Sequence, residues 1–192
     1  MNEKIEKKNK KNKAGKTSKK RIPWAVQVFF MSIGISALLS FLSNEALVNA
    51  GLILAFIVLL AFILLGIIFD IIGVAVTAAE EKPFHSMAAR KIPGSKEALK
   101  LIRKANQVSS ICNDVVGDIC GIVSGSTVAV IVVRLHEVLG MESILTSLAI
   151  TALASGLTIC GKAMGKTFAM EKSTSVLCIV GRILYFFSCK KR

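Results

Sequence analysis

The chain has 192 residues, 53% of them hydrophobic, and carries a formal net charge of +13. A mean hydropathy of +0.63 with only 6% aromatic residues is out of range for one soluble domain. Basic excess alone would suggest nucleic acid, but ten of the 25 Lys and Arg lie within residues 1–21, and most others lie between Lys82 and Lys104 or after Lys162. The stretches between them run to about 20 residues or more, the length that crosses a bilayer. This pattern excludes a nucleic-acid partner and predicts an all-α integral membrane protein.

Residues 1–21 are Lys- and Asn-rich with almost no large apolar side chains. They cannot bury enough surface to offset ordering entropy, which predicts a disordered basic tail. An additional N-terminal transmembrane helix is expected over 22–43, with Pro23 at its start and Trp24 at the interface. It is too long for a signal-peptide core and lacks a small-x-small cleavage pattern.

The next apolar run, Ala46–Ala79, is broken by one charge, Asp70. At helical rise it would reach about 51 Å against roughly 30 Å of hydrocarbon, so it must tilt, kink near Gly66 or Gly73, or emerge into headgroups. Its spanning part is expected at about 48–70. Pro93-Gly94 then stops a helix, and over 95–105 the cations Lys96, Lys100, Arg103 and Lys104 share one side while Leu99, Ile102 and Ala105 share another. This predicts an amphipathic helix on an anionic inner leaflet.

Two further spans are expected at about 107–133 and 143–161. A second interfacial helix, about 168–188 with Arg182 inside it, and a basic 190–192 end the chain. Basic residues flank the tail, the 82–104 segment and the C-terminus, while the two short connections carry Glu45, His136, Glu137 and Glu142. Four spans with both termini in the cytoplasm of an inner (plasma) membrane satisfy every segment.

The 107–133 span carries the chemistry. Ser110, Asn113, Asp114, Gly117, Asp118, Gly121, Ser124 and Gly125 recur every three or four residues and should line one face. Gly117, Gly121 and Gly125 would admit a close helix backbone. A carboxylate at this depth costs roughly 2.5–3.5 kcal/mol unless compensated. Three compensators are open for Asp70, Asp114 and Asp118. One is a hard cation such as magnesium, held by these carboxylates with Asn113 and Ser110. Internal pairing with Lys162 is the second, and a water-filled cavity the third.

Other motifs fall away. Gly156-x-x-x-x-Gly161-Lys162-Ala163 lacks the magnesium-ligating hydroxyl of a phosphate loop, and Gly161–Thr167 is one residue short between its glycines. Cys112, Cys120, Cys160, Cys178 and Cys189 form neither a Cys-x-x-Cys nor a Cys/His cluster, so zinc and a disulfide framework are not expected. His85 and His136 stand alone. No nucleophile–base constellation appears, so an enzyme is not expected.

The span ending Phe69-Asp70-Ile71-Ile72-Gly73-Val74-Ala75-Val76-Thr77, followed by a basic connector, resembles the transmembrane domain of the CorC/CorB and cyclin-M magnesium transporters. Ile111-Cys112-Asn113-Asp114-Val115-Val116-Gly117 resembles their Gly-Asn-Asn stretch, and Gly161-Lys162-Ala163-Met164-Gly165-Lys166-Thr167 their Gly-Glu-x-x-Pro-Lys-Thr motif. The likeness covers about residues 48–188 within an expected domain of 44–189. It implies a homodimer with a magnesium site. Carried over by position, the first serine of the family's Ser-x-Ser-Glu falls on Asp70, the second on Ile72 and its glutamate on Gly73. Asn113 keeps the family's asparagine while Asp114 replaces its neighbour. The later motif's glutamate falls on Lys162 and its proline on Gly165, while Lys166 keeps the lysine. The nucleotide-binding regulatory region of the family has no counterpart in these residues. The likeness therefore implies either a divalent-cation transporter with Asp70, Ser110, Asn113, Asp114 and Asp118 as candidate ligands, or a non-transporting adaptor or subunit. In the second case Lys162 closes the ion site by pairing with Asp70 or Asp114, and a protein partner is expected.

Overall fold

A computed structural model describes residues 2–48, 51–139 and 144–189, with side chains described over 24–47, 51–137 and 144–187. The described residues are helical without a strand: α1 Asn2–Val48, α2 Leu52–Ala78, α3 Glu81–Ala89, α4 Ser95–Arg103, α5 Ala105–Ser109, a π-helical segment Ser110–Gly117, α6 Asp118–Leu139, α7 Ile144–Glu171 and α8 Ser173–Cys189. Among the described residues, four stretches are long and apolar enough to cross a membrane: Trp24–Leu47, Leu52–Ala78, Ala105–Glu137 and Ile144–Glu171. The chain is a membrane protein on this ground.

The boundaries differ from the sequence expectation in physically readable ways. The α1 helix runs from Asn2 to Val48, so it takes in the basic segment as well as the first span. Lysine, its commonest residue, is a good helix former. The second span begins at Leu52 and ends at Ala78, eight residues beyond 70, because nothing in Ile71–Ala78 breaks a helix. At about 1.5 Å per residue its 27 residues reach roughly 40 Å, more than the hydrocarbon needs. Gly66 and Gly73 are both buried within this continuous helix, where neighbouring elements approach closely. Likewise α7 runs on to Glu171, so the last helix starts at Ser173, not near 168.

Packing divides into three apolar clusters. Toward one end, Ala75, Val76, Phe84, Ala98, Leu99, Ala169 and Leu177 join the end of α2 to α3, α4, α7 and α8. Toward the other end, Leu47, Ala55, Leu59, Ile63, Val128 and Ile131 join α1, α2 and α6. Between α1 and the π-helical/α6 segment, Val115, Ile119 and Val123 meet Val28, Ile35, Leu39 and Phe62. Large apolar side chains cover the outside, including Phe29, Phe30, Ile53, Ile57, Leu145 and Leu153. An apolar exterior on that scale would be an aggregation surface in water and is what a bilayer requires. Lipid removes the hydrophobic drive between helices, so close backbone approach and interhelical hydrogen bonds matter more. The buried Ser43 and Thr127 hydroxyls stand 3.4 Å apart across α1 and α6, and the Arg134 guanidinium donates to the Leu47 carbonyl at the end of α1.

In α4, Ser95, Ala98 and Leu99 are buried while Lys96, Lys100 and Arg103 are exposed. Lys104 separates it from α5, which leads into the third span. Gly94, at φ +87°, adopts a left-handed conformation that an L side chain disfavours, and its backbone touches that of Gly181 and Arg182 in α8. This contact seats α8 against α4.

Candidate functional site: an ion pair between α2 and α7

Gly66, Asp70 and Gly73 follow one another at four and three residues, which places them on one face of α2. All three are buried. That face meets the third span so closely that a Cβ on Gly66 would lie 3.2 Å from Cys120 Cβ, and one on Gly117 only 3.1 Å from Asp70 Oδ1. On the neighbouring face, Gly161 and Gly165 of α7 receive the side chains of Ile67 and Ile71. Glycines on α7 and on the third span therefore draw both toward α2, and Lys162, next to Gly161, reaches the polar position.

Lys162 Nζ lies 3.9 Å from Asp70 Oδ2 and donates to the Gly117 carbonyl at 3.5 Å. The Asp70 side chain is 5% exposed and the Lys162 side chain 25% exposed. Opposite unit charges about 4 Å apart attract by roughly 4 kcal/mol at an effective dielectric near 20, which offsets the cost of holding a carboxylate at this depth. Of the three compensators open from sequence, the structure displays internal pairing for Asp70.

Asn113 completes the polar cluster from the π-helical segment. Its Nδ2 donates to Ser109 Oγ at 3.2 Å, while its Oδ1 is buried without a hydrogen-bond partner. That oxygen faces Gly73, where any Cβ would collide with it. The Asp70 carboxylate, the Gly117 carbonyl and the Asn113 amide oxygen are hard donors of the kind that bind magnesium or calcium. The charge that the structure places beside the first two is an ammonium. A divalent cation about 4 Å from that ammonium would meet roughly 8 kcal/mol of repulsion at the same dielectric.

The other expected ligands are not gathered here. Asp114 and Asp118 are exposed and line a cavity of about 540 Å³ whose walls come from α1, the π-helical segment and α6, including Ser32 and Ser36. Neither α2 nor α7 contributes to it. Ser110 is half-buried. The five positions span a wide arc, because neighbouring residues stand about 100° apart around a helix, and the structure splits that arc: Asn113 and Gly117 meet Gly73 and Asp70 of α2, while Asp114 and Asp118 turn toward α1. No group of three His, Cys, Asp or Glu that could hold a metal occurs among the described residues.

The glycine series divides as well. Gly117 is in close contact with the Asp70 carboxylate, whereas a Cβ on Gly121 or Gly125 would meet nothing within 4 Å. These two line a groove of about 250 Å³ with Ser124, Thr151 and Ser155. The roles of Gly73 and the Gly117 carbonyl were not anticipated. The 66-70-73 spacing around a lone intramembrane carboxylate was the available signal for Gly73.

No protein-family model matches the chain, no curated protein matches it, and no solved structure matches it.

Proposed function

We propose that the chain is a non-transporting membrane subunit or adaptor with a CorC-like bundle, whose ion site is held shut by its own lysine. The observation that carries this reading is the position of Lys162 Nζ, 3.9 Å from Asp70 and 3.5 Å from the Gly117 carbonyl. An ammonium there supplies the compensation a bound cation would otherwise give, and repels any divalent ion that approaches. The motif likeness agrees with it, because the glutamate of the transporters' Gly-Glu-x-x-Pro-Lys-Thr falls on Lys162. In this reading the protein sits in the inner (plasma) membrane with both termini cytoplasmic, the basic helix α4 and the largely apolar α8 rest on the anionic leaflet, and the chain works as a homodimer or beside a protein partner.

The transporter reading keeps one observation in its favour, the buried and unpartnered Asn113 Oδ1 beside Gly73. In that alternative magnesium is the cargo and Lys162 swings aside to admit it. Magnesium influx into proteoliposomes carrying the purified full chain separates the two. The closed-site reading expects no flux above that of empty vesicles, and influx that Asp70→Asn abolishes would overturn it.

A further inference from the structure

At the border of the third span, next to Ala105, α4 and α8 leave an open groove of about 410 Å³. Its polar wall is formed by Lys100, Arg103 and Lys104, with Glu97 as the one carboxylate. All three cations are exposed, and among the described residues no carboxylate lies within ion-pair distance of any of them. Its apolar wall is Leu101, Val108 and Leu184. Val108 already belongs to the spanning segment, and Leu184 belongs to α8, seated on α4 through Gly94 and Gly181. The groove thus carries charge on one side and hydrocarbon on the other, at the level where one apolar span begins.

We propose that this groove is a discrete binding site for an anionic phospholipid, with Lys100, Arg103 and Lys104 on the headgroup phosphate and Leu101, Val108 and Leu184 against the first acyl methylenes. Charge complementarity selects the occupant. Three unpaired cations beside a single carboxylate favour a phosphate monoanion, and the apolar wall favours a phosphate that brings a chain with it. Arginine and lysine differ here in a useful way, since Arg103 offers a planar fork to two phosphate oxygens while the lysines act as point charges. The site differs from general attraction of a basic surface to an anionic leaflet. Arg90 and Lys91 are equally exposed cations in the α3–α4 connection and do not line the groove.

The test uses the full chain in detergent titrated with short-chain phosphatidylglycerol, phosphatidylcholine, or inorganic phosphate, read by thermal stability and native mass spectrometry. Phosphatidylglycerol should stabilise the native chain and be retained in a one-to-one complex, while phosphatidylcholine and inorganic phosphate should do neither. With each cation contributing about fivefold to affinity, Lys100→Gln/Arg103→Gln/Lys104→Gln should weaken phosphatidylglycerol binding on the order of a hundredfold. Arg90→Gln/Lys91→Gln should leave it unchanged. Should the triple variant fail to fold, Lys104→Gln alone should show the fivefold loss. Equal losses in the Arg90/Lys91 variant would overturn the site in favour of diffuse attraction. Equal stabilisation by inorganic phosphate would overturn a lipid as occupant, and equal binding of phosphatidylcholine would overturn headgroup recognition.

Discussion

Lys162 on α7 and Asp70 on α2 approach to 3.9 Å across the bundle, in a position that the glycines at 117, 161 and 165 make accessible. Breaking a buried pair by removing one partner costs about 3–5 kcal/mol, and the partial exposure of Lys162 reduces this to about 2–3 kcal/mol for Lys162→Met. Adding Asp70→Asn to that variant should recover most of the loss, with a coupling of about 0.5–3 kcal/mol. Reversible unfolding of the four proteins in one detergent measures the cycle. Strictly additive losses would mean that the two groups do not interact.

The three glycines of the third span should respond unequally to alanine. Gly117→Ala forces a methyl to 3.1 Å from the Asp70 carboxylate and should cost about 1–3 kcal/mol, the range for overpacking. Gly121→Ala and Gly125→Ala point into open space, and each should be neutral or stabilising by up to about 1 kcal/mol through helix propensity. Comparable losses at all three positions would restore the continuous packing face read from sequence.

Gly181→Ala should unseat α8. Its new methyl would meet the Gly94 carbonyl, a backbone atom that no rotamer change can move aside. A loss of about 1–3 kcal/mol is expected, together with faster proteolysis after α7, readable by limited digestion of the detergent-solubilised chain. Unaltered stability and cleavage would show that the contact does not hold α8.

Neutralising Asp114 or Asp118 should leave the ion pair intact, because their cavity faces α1 and not α2 or α7. Asp114→Asn and Asp118→Asn should not lower the unfolding free energy, since neither carboxylate has an ion-pair partner among the described residues and a neutral amide costs less inside a span. The Lys162→Met penalty should be the same in either background. A penalty that falls in the Asp114→Asn background would bring that carboxylate into the site.

Charge distribution made the spans and their number readable, since stretches of bilayer length separate the basic clusters. Asp70 and Lys162 were readable as candidate partners because each is a charged residue within or beside an apolar run. What sequence could not supply was which neighbours cover this part of the third span. Spacing puts Asp114 and Asp118 about 100° around the helix from Asn113 and Gly117, but it does not say that α2 covers one pair and α1 the other. The same holds for Gly121 and Gly125, whose small size says that a neighbour can approach but not that one does. The α2 and α7 helices themselves run to Ala78 and Glu171, several residues past the expected spanning parts, because apolar or helix-tolerant residues continue there.

The most direct measurement of the closed site is the melting temperature of the purified chain with and without saturating magnesium, for the native protein and for Lys162→Glu. The native melting temperature should not change, while Lys162→Glu, with the ammonium gone and a second carboxylate near Asp70, should melt lower without the ion and regain stability when magnesium binds. Magnesium stabilisation of the native chain, lost in Asp70→Asn, would contradict the closed site.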